Sequence, residues 1–512
     1  MGGENKRIAV NTIIIYVKMI IVTIVGLFTT RYVLQGLGVS DYGLYNVVGG
    51  ILAMLNIIST AMHVTTRRYI NVEMGKPDGN MNKVFNISLI LHIGFALLTL
   101  ILAESIGLFY IYNYLVVEPG KLGDAVFVFE ISTIVAVIGL INVPFQAVLN
   151  AHEKFITISV IDIAQVILKL PLIYLLIHYH GNALRFFAVG MCIINVIAFL
   201  CYNVICHINY RHIVKWKIYK DKPLYKEILV YNGYITTGAA VSVVKTQGSS
   251  MIANLFFGTI VNGALAIAYQ VEKYVRMLAA NLNTSSAPQI TQSYSMGNYS
   301  RTQELAEGIT KYLILIMAIM VSSLAGDLEF ILTVWLGEIP EGALLFCQWI
   351  LLSLFIRSFD PCVSTIMAAH GRLKETTITS TVLGLGYPVI LYVLLKIGFP
   401  PQTVIILTAL LEFVNKLIDL YILHRISHFN VPHYFKTVYP VAIIVGCLCG
   451  SYYYFRMQIG VLSIGGHLLS MLSSFLFSTL VCFFIGLNRK ERAFIVERVI
   501  MFVNRKVLKK TA

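Results

Sequence analysis

The chain has 512 residues, of which 57% are hydrophobic and only 12% charged. A soluble globular domain carries about twice that charged fraction, so a water-soluble fold is excluded. The net charge of +14 does not point to nucleic acid, because the basic residues sit beside apolar runs rather than on a polar domain.

Apolar runs long enough to cross a hydrocarbon core of about 30 Å recur from end to end. They fall at 10–31, 43–65, 84–104, 125–147, 156–178, 185–206, 227–251, 262–285, 308–331, 343–367, 376–397, 402–423, 438–456 and 461–487. The fold class is therefore an all-α polytopic membrane protein with about fourteen transmembrane helices, since a β-barrel shows alternating segments of about ten residues. Lys6 and Arg7 precede a first run that is too long for a signal peptide and lacks an A-x-A site, so it reads as a membrane helix. The connecting segments are short and leave no room for a soluble catalytic domain. The eight cysteines form no CxxC, and neither a metal site, a cofactor nor a disulfide framework is expected.

Charge fixes the expected direction. Arg67, Arg68, Lys76 and Lys83, the Arg211–Lys226 cluster and the Arg489–Lys510 tail all lie on the side of the N-terminus. The opposite side holds only Arg31, Lys121, Arg185, Lys396 and Arg456. Both termini are expected to be cytoplasmic.

An internal repeat recurs at an offset near 220. "GLGVSDYGLYNV" (36–47) aligns with "FFGTIVNGALAI" (256–267), placing Gly38 over Gly258 and Gly43 over Gly263. Met74-Gly75 falls opposite Met296-Gly297, and "VPFQAVLNAHEKF" (143–155) resembles "DPCVSTIMAAHGRL" (360–373). The proline pairs Pro144 with Pro171 and Pro361 with Pro388 keep the same spacing. The offset spans six helices, so the expected domains are an N-terminal lobe (1–215), a C-terminal lobe (216–430), two extra helices (431–487) and a basic amphipathic cytoplasmic tail (488–512). An even number of helices per repeat makes the lobes parallel. Transporters built this way bind substrate near the midplane.

Several cations fall inside the apolar runs, where each costs roughly 2.5–3.5 kcal/mol unless it meets water or a partner. Lys311 lies close enough to a helix end to snorkel. Lys416 has Glu412 and Asp419 on its own helix, Arg357 has Asp360, and Lys169 has Asp162 two turns away. Lys18 and Lys245 have no acidic neighbour within two turns. In "QVEKYVRMLAANLN" (270–283), Lys273 and Arg276 share Glu272. Asn262, Tyr269, Lys273, Arg276 and Asn283 follow helical spacing, as do Asn56, Thr60, His63 and Arg67. Subtracting 220 sets Arg276 over Asn56 and Asn283 over His63. Hydrogen-bonded helix contacts alone account for such a stripe of asparagine and threonine. The added Lys and Arg favour a solvated, net-positive cavity for an anion, since ammonium and guanidinium groups suit phosphate.

Fourteen helices, two six-helix lobes, "RYVLQGLGVSDYGLYNVVGGI" and the proline-to-"AHEK" hairpin resemble the polysaccharide (O-antigen-type) flippases. These belong to the multidrug/oligosaccharidyl-lipid/polysaccharide exporter superfamily. The resemblance covers essentially the whole chain through loose motifs. It implies alternating access in a bacterial cytoplasmic (inner) membrane, with an undecaprenyl-pyrophosphate-linked oligosaccharide moved outward for surface polysaccharide or lipopolysaccharide synthesis. Cations on helices 1, 2, 7 and 8 are typical of that branch and correspond here to Lys18, Arg67, Lys245, Lys273 and Arg276. Their choice rests mainly on the helical-face argument. Asn56, His63, Tyr269, Asn283, Lys169 and Arg357 are expected to line the same space. Glu130, Asp162 and Glu272 are the carboxylates available for H⁺ or Na⁺ coupling. No Walker motif is present. The rival readings are a cation-coupled multidrug or small-solute exporter of the same fold, a membrane enzyme, and a scaffold.

Overall fold

The computed structural model describes residues 2–55, 57–74, 76–359, 362–370, 372–458, 463–493 and 496–497, and these contain only helices and their connections. They divide into two compact units, one of 1–267, 335–343 and 384–404 and one of 268–334, 344–383 and 405–512.

The first unit is built from α1 (Gly2–Leu55), α2 (Ile57–Met74), α3 (Met81–Leu102), α4 (Leu108–Asn113), α5 (Leu122–Ala151), α6 (Phe155–Ile177), α7 (Ala183–Asn209), α8 (Arg211–Val214) and most of the first part of α9 (Lys222–Ser295). A π-helical turn, Ala103–Gly107, joins α3 to α4. Here α5 packs on α3 and α7, and α1 packs on α6. One buried cluster gathers Phe85, Phe145, Val148, Tyr202 and Ile213, with Phe85 and Phe145 edge to face at 5.3 Å.

The second unit takes the rest of α9, then α10 (Tyr299–Ala325), most of α11 (Leu328–Leu336), α12 (Ala343–Arg357), α13 (Val363–His370), part of α14 (Leu373–Ile397), α15 (Thr403–Ile426), α16 (Val431–Thr437), α17 (Tyr439–Met457) and α18 (Ile464–Val481). There α10 packs on α17 and α18, the two spans beyond the repeat.

Among the described residues, ten helices are long and apolar enough to cross a membrane. Two of them hold two spans each: α1 breaks at Gly38 (φ 79, ψ 167) and α9 at Gly258 (φ 73, ψ −168). The shorter α12, and α15 with its Glu412, Lys416 and Asp419, bring the total to the fourteen expected. The sequence reading placed loops at 32–42 and 252–261. The helix instead continues through both stretches and turns at one glycine in each, because φ near +75° combined with extended ψ is open essentially to glycine alone.

The same offset governs a second pair of local structures. Asn80 caps α3 by accepting the Lys83 N–H at 2.9 Å, and Asn298 caps α10 by accepting the Arg301 N–H at 3.1 Å. Each follows a glycine, and each satisfies an N–H left open by the first helical turn. Pro144, Pro171 and Pro388 lie inside helices, while Pro361 and Gly75 lie outside the described residues. The predicted tail helix is described only in part, with helix at 489–493.

Within the first unit the two repeats touch backbone to backbone. A Cβ on Gly43 would collide with the Thr259 carbonyl oxygen and lie 2.8 Å from the Gly263 nitrogen. A Cβ on Gly263 would lie 2.7 Å from the Val39 carbonyl oxygen. Ser40 and Thr259 share a hydroxyl hydrogen bond of 2.9 Å beside this crossing. Gly43→Ala and Gly263→Ala should each destabilise the protein by about 1–3 kcal/mol through overpacking. Gly49→Ala, where a Cβ meets nothing within 4 Å, should be neutral or slightly stabilising. Thermal unfolding in detergent distinguishes these outcomes.

Candidate functional site

In the first unit, Asp162 joins three helices. Lys18 on α1 donates to one oxygen at 2.9 Å, and Tyr202 on α7 donates its hydroxyl to the other at 3.0 Å. Lys18, which lacks an acid on its own helix, thus meets one 144 residues away. Asp162, set against Lys169 by sequence spacing, serves Lys18 and Tyr202. Lys245 lies over the Tyr387 ring at 5.8 Å, and that ring is fixed because its hydroxyl donates to the Val404 carbonyl at 2.8 Å. Arg67 is exposed one turn beyond the half-buried His63 on α2. Asn56 lies outside the described residues. Asn262, read as part of a polar stripe, is buried and donates to the Ser250 backbone and hydroxyl oxygens at 3.0 and 2.9 Å, which makes it a helix–helix contact.

Glu130 on α5 lies beside the Glu104 side chain of the π-helical turn. Sequence inspection passed over Glu104 as a partner, since only the fold sets it beside α5.

In the second unit, Arg357 at the end of α12 is the centre of the charged cluster. It pairs with Glu272 of α9, and its Nη2 donates to Glu412 of α15 at 2.7 Å. The spacing argument matched Arg357 with Asp360, which lies outside the described residues, whereas the observed partners come from two distant helices. With Glu412 engaged by Arg357, Lys416 stands 4.0 Å from Asp419. Arg276 reaches Glu272 across one helical turn at 3.3 Å and stays 62% exposed. Lys273 is exposed as well, and Tyr269 is half-buried. The Asn283 side chain lies outside the described residues. Lys311 is anchored at 2.6 Å by Glu491, which also accepts from the Tyr312 hydroxyl, so it does more than snorkel.

Depth separates these cations. Lys273 and Arg276 follow the Gly258 break by about 22–27 Å along the helix at 1.5 Å per residue, still within the span of a bilayer core. Three of the five basic residues on the opposite side are held by acids: Lys121 by Asp41 at 2.8 Å, Arg185 by Asp124 at 2.7 Å and Arg456 by Asp327 at 2.5 Å. Asp327 is buried and also accepts from His467 at 2.7 Å and Ser470 at 2.5 Å, tying α17 and α18 to the end of α10. No local pattern announces this cluster, because its members lie 129–143 residues apart.

No protein-family model matches the chain. It is similar to the uncharacterized membrane protein EpsK of Bacillus subtilis (strain 168), with 22% identity over 369 residues covering 69% of this chain and 70% of that protein. Among solved structures it resembles the lipid II flippase MurJ in an inward closed conformation, at a TM-score of 0.68 and 14% identity, over 92% of this chain and 99% of that one. It also resembles an inward-facing MATE multidrug resistance transporter of the MOP superfamily, at a TM-score of 0.65 and 14% identity, over 83% and 99%. A MOP-superfamily transporter from Pyrococcus furiosus, whose binding pocket is described as reversed in polarity, matches at a TM-score of 0.56 and 14% identity, over 82% and 94%. The chain is a multi-pass, all-helical membrane protein with the fold shared by MurJ and the MATE transporters.

Proposed function

We propose that this protein is a MOP-superfamily flippase and not an enzyme. It would carry an anionic lipid-linked oligosaccharide, of the undecaprenyl-pyrophosphate type, from the cytoplasmic to the outer leaflet of a bacterial cytoplasmic membrane. The observation that carries the reading is the state of Lys273 and Arg276. Both are exposed on a helix long and apolar enough to cross a membrane, and the Glu272 carboxylate that Arg276 touches is already engaged by Arg357. Cations within a span need water or an anion. A pyrophosphate supplies the anion, with the ammonium as a point charge and the guanidinium as a fork. Lys18, Arg67 and Lys245 of the first unit are further cations assigned to substrate binding, with Asn56, His63, Tyr269, Asn283 and Lys169 as cavity-lining candidates.

With both termini cytoplasmic, the membrane potential favours outward movement of the headgroup, by about 2.3 kcal/mol per charge per 100 mV. Glu130 sits beside a second carboxyl group, on Glu104, and is the carboxylate assigned to ion coupling ahead of Asp162 and Glu272, both of which are held by cations. Its position within a carboxyl pair is also what favours the second reading, a proton-coupled exporter of small solutes on this fold.

In vesicles containing a fluorescent prenyl-pyrophosphate oligosaccharide, the native protein should move the lipid between leaflets, and faster under an outward-driving potential. Lys273→Ala/Arg276→Ala should lose at least tenfold in rate while staying folded, about the worth of one charge-assisted contact. Equal rates for both proteins would make these charges structural, and no movement by either would turn the substrate towards small solutes. Glu130→Gln should remove any dependence of transport on a pH gradient. Arg357→Met should instead lower stability by about 3–5 kcal/mol, because it leaves two carboxylates without their shared cation. Thermal unfolding checks that contrast against Arg276→Met, which should change stability little.

A further inference from the structure

The segment that follows α7 is exposed and basic, yet it is held rigidly. It leaves helical geometry at Lys215 (φ −57, ψ 123) and re-enters helix at Lys222. Asn86, fully buried on α3, donates to the Lys215 carbonyl at 3.0 Å and accepts the Lys217 N–H at 3.0 Å. Asn82, one turn earlier, donates to the Ile213 and Lys215 carbonyls at 2.7 Å each and accepts the Tyr219 hydroxyl at 2.8 Å. The one acid in the segment, Asp221, pairs with Lys83 and caps α9 by accepting the Leu224 N–H at 3.1 Å.

This clamp leaves Trp216 54% and Ile218 65% exposed. Lys215, Lys217, Lys220 and Lys222 are exposed around them. A disordered polar loop needs no buried asparagine to shape it, and a soluble surface does not hold a tryptophan and an isoleucine out in water on a fixed backbone. The surroundings identify the occupant. The segment begins where the α7 span ends, and Ile208 in the last turn of α7 is 74% exposed, as a lipid-facing residue is. The segment lies on the basic side of the membrane, which the positive-inside rule makes cytoplasmic. Tryptophan favours the headgroup level, and lysines beside it favour anionic lipid.

We infer that residues 215–222 form a preshaped anchor for the anionic headgroups of the inner leaflet, with Trp216 and Ile218 seated in the interface and the four lysines on the lipid phosphates. The asparagine pair is the positioning device.

The test is independent of transport, so it stands apart from the substrate assignment. The full-length protein and Trp216→Phe are reconstituted into vesicles whose phosphatidylcholine or phosphatidylglycerol carries bromine near the headgroup. The emission difference between the two proteins isolates Trp216. That emission should be blue-shifted and quenched, more strongly by brominated phosphatidylglycerol than by brominated phosphatidylcholine. The preference should vanish in Lys215→Gln/Lys217→Gln/Lys220→Gln/Lys222→Gln, and Asn82→Ala should weaken the quenching without touching a lysine. Equal quenching by both lipids in the native protein would overturn the anionic preference. Quenching of Trp216 by aqueous iodide, with none by brominated lipid, would overturn the anchor and leave the surface to a protein partner.

Discussion

A charge in hydrocarbon must be given a partner or water, and the helices of this protein are arranged to meet that demand. Asp162 receives Lys18 and Tyr202, so α1, α6 and α7 must present particular faces to one another. Arg357 does the same for α9, α12 and α15, and Asp327 for α10, α17 and α18. Such clusters contribute little net stability, because the cost of dehydrating the ions offsets most of their attraction. Their effect lies in what they forbid. A helix rotated by one residue would strand a charge, which costs far more than the pair contributes.

The repeat adds a constraint of a different kind. In a bilayer each backbone group has to be satisfied within the fold, which favours a helix that continues over a loop that opens. Gly38 and Gly258 meet this condition by confining the turn between two spans to a single residue. The absence of a side chain at Gly43 and Gly263 then lets the two turns approach until backbone meets backbone. Helix ends obey the same economy, with Asn80 and Asn298 closing the first turns of α3 and α10 at equivalent positions. A duplicated sequence thus keeps what the backbone requires, while its side chains have drifted.

That distinction explains what was legible. The spans follow from apolar length, and the glycine pairs follow from a backbone requirement that only one residue type meets, so both could be read without coordinates. Ion-pair partners could not. Spacing arguments see only neighbours on the same helix, which is why Arg357 was matched with Asp360 and Lys18 with nothing. Their partners lie 85, 55 and 144 residues away. The loops at 32–42 and 252–261 were misplaced for a different reason, since a break between apolar runs shows that a turn falls there and not that a single glycine makes it. Ser40 and Asn262 are turned inward onto Thr259 and Ser250, and Asp41 onto Lys121.

The charged cluster of the second unit shows how one network can combine permanence with exchange. Two cations, Arg276 and Arg357, meet two carboxylates, Glu272 and Glu412. Arg357 is enclosed and bonded to both acids, so no ligand can displace it without stranding them. Arg276 touches Glu272 at 3.3 Å, at the long end of hydrogen bonding, and most of its side chain is open. On the proposed reading, an arriving anion competes with a carboxylate that keeps its stronger partner, and little is lost when Arg276 turns away. When the anion leaves, Glu272 is again within reach, so the guanidinium is not left bare in a medium of low polarity. A site meant to hold its ligand permanently would leave such a cation unpaired and waiting. A site that must bind and then release benefits from a weak internal substitute, because that substitute lowers the affinity to a level from which the cargo can depart.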